Sequence, residues 1–157
     1  MIPFPINFLE GVVFTKKQDI NIKGWDSLKP YTIAIRIGTK FAEDGTKGMK
    51  VGKFDSNEKI FKLVSENRYD VCISSRIVGL YQIKKQNLIG IKVLEPPLIK
   101  HDLFHYLNKK HENLIPIISK ELKKMQQEDR ISEIRKEFIT RLVNSDIKVE
   151  QIVPADR

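Results

Sequence analysis

The chain alternates short apolar runs with segments whose apolar residues recur every three or four positions, and that rhythm sets its elements. Phe8 to Thr15 (FLEGVVFT) is apolar and β-branched and reads as a first strand. Lys16 to Gly24 is polar and reads as a loop, leading to a helical turn at Trp25 to Leu28 that Pro30 stops. The strand YTIAIRI (31–37) runs into a helix start at Thr39, and the strand MKVGKF (49–54) runs into a helix within DSNEKIFKLVSEN. In that helix Asp55 is spaced to cap with Glu58, and Ile60, Leu63 and Val64 share a face. DVCIS (70–74) is the next strand, RIVGLYQIKKQ its helix, and IGIKVLE (89–95) closes the series before a break at Pro96-Pro97. Strands alternating with helices predict βαβ units and a mainly parallel sheet flanked by helices, an α/β fold.

Beyond the prolines, DLFHYL (102–107) is one more candidate strand, after which the period becomes helical. Leu114, Ile117, Ile118, Leu122 and Met125 form one stripe and Ile131, Ile134, Phe138, Ile139 and Leu142 a second, with Asp129-Arg130 at the junction. Pro116 fits the first of these helices only in its opening turn, so a start near Asn113 is expected. Asn144 to Arg157 has little pattern beyond IKVEQIV and reads as a tail or a final edge strand.

A hydrophobic content of 41% over 157 residues is enough for one ordinary core. The formal charge of +8 raises nucleic acid as a partner, but the lysines are scattered, and the runs Lys109-Lys110 and Lys123-Lys124 stand beside glutamates as on solvated helix faces. No zinc spacing or aromatic-basic interleaving accompanies the charge, so no nucleic-acid partner is expected. Cys72, the single cysteine, lies between Val71 and Ile73 in a strand and reads as a core thiol. The start MIPFPINFLEG has no basic n-region or long apolar stretch, so no export signal is read in the chain as written.

In an open α/β sheet, ligands gather beyond the carboxyl ends of the strands. Three corners lie there: Gly38-Thr39, Asp55-Ser56 and Ser74-Ser75-Arg76. At the first, a glycine lets another atom approach the backbone, and Thr39 offers a hydroxyl and an amide at the positive end of a helix. That is a receptor for a carboxylate or similar anion, or a plain turn and N-cap. At the third, the serines are donors and Arg76 adds charge, or they too merely cap a helix. His101, His105 and His111 are spaced across a strand and loop rather than along one helix face, so no metal site and no cofactor are expected. An enzyme would need a titratable pair near Thr39 or Ser75, where the sequence supplies only Arg76, Lys40 and Glu43.

The order WDSLK, strand, Gly-Thr at a helix mouth, then KVGKFDSNEKIFKLVSENRYDVCISSRIVGLYQIKK resembles the second lobe of bacterial extracellular (periplasmic) solute-binding proteins, family 3, the amino-acid-binding type of ABC uptake systems. EPPLIKHDLFHYLNKKHENLIPIISKELKKMQQEDRISEIRKEFI is similar to the family's return strand and closing helices, with Asp129-Arg130 where the family usually has Asp-Gly. The resemblance covers roughly Leu9 to Ile139 and implies a type II periplasmic-binding-protein-like lobe with the first lobe largely missing. On it, residues 1–15 are an entering strand and hinge remnant, 16–100 the solute-binding lobe, 101–143 the return strand and closing helices, and 144–157 a tail. Closure would rotate about the two strands near Thr15 and Leu103.

Carried over residue by residue, the resemblance implies that Gly38 and Thr39 grip an anion and that Asp70 is a structural acid. The acid that commonly holds a ligand ammonium would fall at Ser75 and is absent. The ligand-binding set is therefore Gly38, Thr39, Lys40, Ser75 and Arg76, and the expected function is non-catalytic binding of a small polar, anionic solute as part of an ABC-type uptake system. Implied partners are the solute, a membrane permease, and a second copy through the surface the missing lobe leaves; the implied location is the periplasm if an export signal lies upstream. A sensor or effector domain of the same fold, and a transferase on the two-lobed fold, stay open beside it.

Overall fold

A computed structural model of the chain describes residues 1–144. The stretch from 145 on, where a tail or an edge strand is expected, lies outside the described residues. Five strands form one sheet in the order β3-β2-β4-β1-β5. They are β1 (Pro5–Thr15), β2 (Ile33–Arg36), β3 (Val51–Phe54), β4 (Val71–Ser75) and β5 (Lys92–Phe104). The helices are α1 (Lys40–Gly45), α2 (Asn57–Ser65), α3 (Arg76–Lys85), α4 (Ile115–Gln127) and α5 (Arg130–Asn144), with 3-10 segments at Trp25–Leu28 and Lys109–Leu114. The chain divides into two compact units, Leu9–Lys100 and a second made of Met1–Phe8 with the chain from His101 onward.

In the Leu9–Lys100 unit, period-two alternation sends successive side chains to opposite faces of the sheet. Val13, Ile33, Ile35, Val71 and Ile73 point to one face, where Leu28 of the 3-10 turn and Ala42 of α1 cover them. Val12, Phe14, Ala34 and Cys72 point to the other, under Ile60, Phe61 and Val64 of α2, with Ile83 of α3 at its border. Burial on both faces is why these strands read as nearly continuous apolar runs. β2 runs parallel to β3 and to β4, while β1 is antiparallel to β4 with Gly11 opposite Ser75. The sheet is therefore mixed.

Three local expectations are corrected. The N-cap of α2 is Ser56, whose hydroxyl accepts from the Lys59 amide at 3.2 Å, one residue beyond Asp55. Both residue types cap well, and the end of β3 at Phe54 decides which is used. Pro96-Pro97 does not break the chain: β5 continues through it to Phe104, absorbing the two separate strands expected at 89–95 and 102–107. β5 is the edge of the sheet, where a missing ladder donor is tolerated. The helix expected from near Asn113 begins at Ile115, after the 3-10 segment, with Pro116 in its opening turn.

In the second unit, the Ile2 amide donates to the His105 carbonyl at 2.9 Å and the Gln126 side chain to Pro5 O at 3.0 Å. The Arg135 guanidinium lies over the Phe8 ring at 3.7 Å, and it donates to Asn7 Oδ1 and Phe8 O. Asp129, in the left-handed region at φ 54°, makes the turn between α4 and α5.

Candidate functional site

The residues singled out in the sequence come to one edge of the Leu9–Lys100 unit. Ile33 is level with Val71 and Ile35 with Ile73, so continuing the parallel register puts Ile37 level with Ser75. From these neighbouring strand ends the chain departs in opposite directions, through α1 to β3 on one side and through α3 toward β5 on the other. Neighbouring parallel strands whose connections diverge leave a crevice beyond their carboxyl ends. The Gly38-Thr39 and Ser75-Arg76 corners flank it. The Asp55-Ser56 corner lies one strand further out, at the end of β3.

Gly38 is exposed, adopts φ 82°, and would have nothing within 4 Å of an added Cβ. Its conformation strains other residues, and its open surroundings let an atom approach the backbone. The amide donates to the Glu43 carboxylate at 3.3 Å, and Glu43 also stands 3.8 Å from Lys53 Nζ. The sequence left Thr39 with an open amide, but here that amide donates to the Arg36 carbonyl at 3.1 Å, closing the turn out of β2. The Thr39 carbonyl accepts from Ala42 and Glu43, while its hydroxyl makes no capping bond. The donors that remain at this corner are that hydroxyl and the amides of Lys40 and Phe41, which open a helix where intrahelical acceptors do not exist. Lys40 and Arg36 are both exposed beside it.

At the other corner Ser75 is the half-buried N-cap of α3, and again its hydroxyl makes no capping bond. Arg76 departs from its expected role as a loose charge. Its Nε donates to Glu10 at 2.7 Å, and its two terminal nitrogens donate to both oxygens of Glu95 at 2.7 and 3.0 Å. The hydrogen bonds the guanidinium donates to Glu95, and then to Glu10, raise it above its ordinary pKa against the opposing effect of burial. Glu10 and Glu95 were missed as site residues, and Glu43 was named only as a titratable group near Thr39. Glu43 could have been found, since it lies four residues past an N-cap and within reach of its own helix mouth. Glu10 and Glu95 come to Arg76 from 66 and 19 residues away, and no local pattern marks them.

Elsewhere, Cys72 is fully buried, and burial pushes its thiol far above the ordinary range. His101 lies in β5, His105 just past it and His111 in the 3-10 segment. Among the described residues no three metal-binding side chains come together, and no helix is long and apolar enough to cross a membrane. A cavity in the second unit, lined by Asn7, Phe8, Asp102, Gln126 and Arg135 among others, contains none of the ligand-binding residues expected from the sequence.

No family model matches the chain. Over 154 residues it is 27% identical to the probable amino-acid-binding protein YxeM of Bacillus subtilis (strain 168), covering 94% of this chain and 56% of that protein. Among solved structures it is similar to a histidine kinase sensor domain with similarity to periplasmic binding proteins, with TM-score 0.64 at 12% identity over 85% of this chain and 60% of that one. The fold is periplasmic-binding-protein-like. Another structure of this fold is the amino acid ABC transporter substrate-binding protein AbpA from Streptococcus pneumoniae bound to L-arginine, with TM-score 0.65 at 11% identity over 88% of this chain and 60% of that chain. The periplasmic-binding-protein-like chain spans just over half the length of the curated relative it matches. It is similar to solute-binding proteins of the amino-acid-binding type, as the order of its motifs implies.

Proposed function

We propose that the chain is part of a solute-binding protein and captures a small polar solute without transforming it, at the carboxyl edge of β2 and β4. The observation that carries this is the pair of diverging corners at adjacent strand ends, each with a hydroxyl that caps nothing, in a periplasmic-binding-protein-like fold. Thr39, Ser75 and the first amides of α1 supply neutral donors, Gly38 gives backbone access, and Lys40 adds charge at the rim. The solute carries a carboxylate, as amino acids and small acids do. With Arg76 engaged by two glutamates, that carboxylate rather than net negative charge is what the crevice selects. The fitting context is an ABC-type uptake system with a membrane permease as partner, outside the cytoplasmic membrane. The likeness to a kinase sensor domain supports a second reading, ligand sensing through the same crevice.

Affinity depends on burying most of a small ligand, so one edge of one unit should bind with a Kd in about the millimolar range. NMR titration of the amides with a panel of L-amino acids and small acids is expected to shift Gly38, Lys40 and Ser75 together and saturably. Thr39→Ala removes one hydrogen bond and should weaken binding about two- to tenfold. The capture reading fails if no solute in the panel moves these amides.

A further inference from the structure

Two groups at the carboxyl ends of β2 and β4 that could receive a solute carboxylate already hold one from the chain itself. The terminal nitrogens of Arg76 grip Glu95 with two bonds, the geometry by which a guanidinium takes a free carboxylate. The Gly38 amide holds Glu43. The two glutamates on Arg76 are not equivalent. Glu10, on β1, is 18% exposed, whereas Glu95 is 59% exposed. A pair with one member in water contributes little and exchanges readily.

We propose that Glu95 is a displaceable stand-in for the solute's carboxylate: it occupies the outer edge of the Arg76 guanidinium and yields that edge to the solute, while Glu10 keeps the guanidinium in place. The inference rests on the capture reading above and names the group that the solute must carry. A tethered carboxylate competes with every incoming ligand, and apparent affinity falls by the fraction of chains in which the site is held. A neutral or purely cationic solute cannot replace what it displaces, since the freed guanidinium would lack an acceptor. Competition by Glu95 therefore selects for carboxylates and weakens their binding at once.

The experiment is a 1H–15N NMR titration of the full chain, wild type, Glu95→Gln and Arg76→Gln, with L-glutamate, L-arginine and agmatine, the last being arginine without its carboxylate. The Gly38, Lys40 and Ser75 amides and the Arg76 Nε–H signal are followed. Glu95→Gln should bind L-glutamate and L-arginine about two- to fivefold more tightly, which is the fold-change equivalent of an exposed ion pair. It should leave the response to agmatine unchanged, and Arg76→Gln should lose most of the carboxylate-dependent response. Movement of the wild-type Arg76 Nε–H on titration supports displacement even if Arg76→Gln fails to fold. If the wild-type amides respond but Glu95→Gln binds no tighter, Glu95 is a fixed structural partner; the inference is overturned and the capture reading stands. If neither protein responds to any of the three solutes, the inference is overturned, and the capture reading is left to the wider panel above. A response from Glu95→Gln with a silent wild type supports the inference in its strongest form.

Discussion

Phe14→Ala is expected to lower the unfolding free energy by about 3–5 kcal/mol, the range for deleting a fully buried aromatic ring. Phe14 is completely buried in β1 and meets Phe61 of α2 edge-on, with ring centroids 5.0 Å apart at 63°. From α3 the backbone of Gly79 lies so close that a Cβ there would stand 2.0 Å from the tip of the Phe14 ring. The ring is thus held between two helices and a strand, none of which can collapse into the space without disturbing its own hydrogen bonds. Gly79→Ala tests the same contact from the other side, and overpacking should cost about 1–3 kcal/mol. The two changes share one contact, so they should not add. In the Phe14→Ala background the methyl that Gly79→Ala introduces enters the space the ring has left, and the second substitution should be neutral or stabilising. Urea unfolding of the four proteins measures this, and additive losses would contradict the contact.

This contact also shows what the sequence could and could not reveal. That Phe14 is a core residue follows from its place in an apolar strand, whereas the helical period puts Leu63 on the inner face of α2 and the packing buries Phe61 there instead, leaving Leu63 half-buried. The 3-10 turn at Trp25–Leu28 and the extent of α3 are local and were legible. That Gly79 is the point where α3 touches a ring 65 positions earlier depends on how elements pack, and a glycine inside a helical pattern offers no sign of its partner. The continuation of β5 through Pro96-Pro97 is similar, because only its place at the sheet edge makes the prolines acceptable. At the candidate site the corners were legible, being fixed by strand ends and helix starts. The occupants of their donors were not. Thr39's amide turns back to Arg36, and Arg76 is claimed by carboxylates from β1 and β5. Local sequence marks where donors lie, whereas long-range pairing decides which are spent.

At the opposite edge of the sheet, Asp70→Ala is expected to cost about 2–3 kcal/mol, the range for a hydrogen-bonded charge whose removal also strands a main-chain donor. One Asp70 oxygen accepts from both the Thr32 amide and the Thr32 hydroxyl at 2.8 Å, and the other meets Lys17 Nζ at 2.6 Å. The Asp70 amide returns a bond to the Thr32 hydroxyl at 3.0 Å, and the Asp70 carbonyl accepts from Thr15 at 2.7 Å. One residue therefore joins the end of β1, the approach to β2 and the start of β4. Burial pushes this carboxyl up, but the bonds from Lys17 and Thr32 outweigh it and hold its pKa below the ordinary value of 3.8. A carboxyl depressed in the folded state binds protons more readily in the unfolded chain, so stability rises with pH while the two differ. Its contribution is complete above about pH 4–5 and is lost as pH falls through 3.8 toward the lower folded value. Asp70→Asn keeps an oxygen for the Thr32 amide but loses the charge, so it should destabilise less than alanine at neutral pH and flatten the acid limb of the stability curve. Urea midpoints measured from about pH 3 to pH 7 test the sign, and an acid limb equally steep in Asp70→Asn would assign that limb to other carboxylates. Because this knot lies at the far ends of the same strands from Gly38 and Ser75, solute titrations of Asp70→Asn at neutral pH should match the wild type, separating what holds the sheet together from what its carboxyl edge recognises.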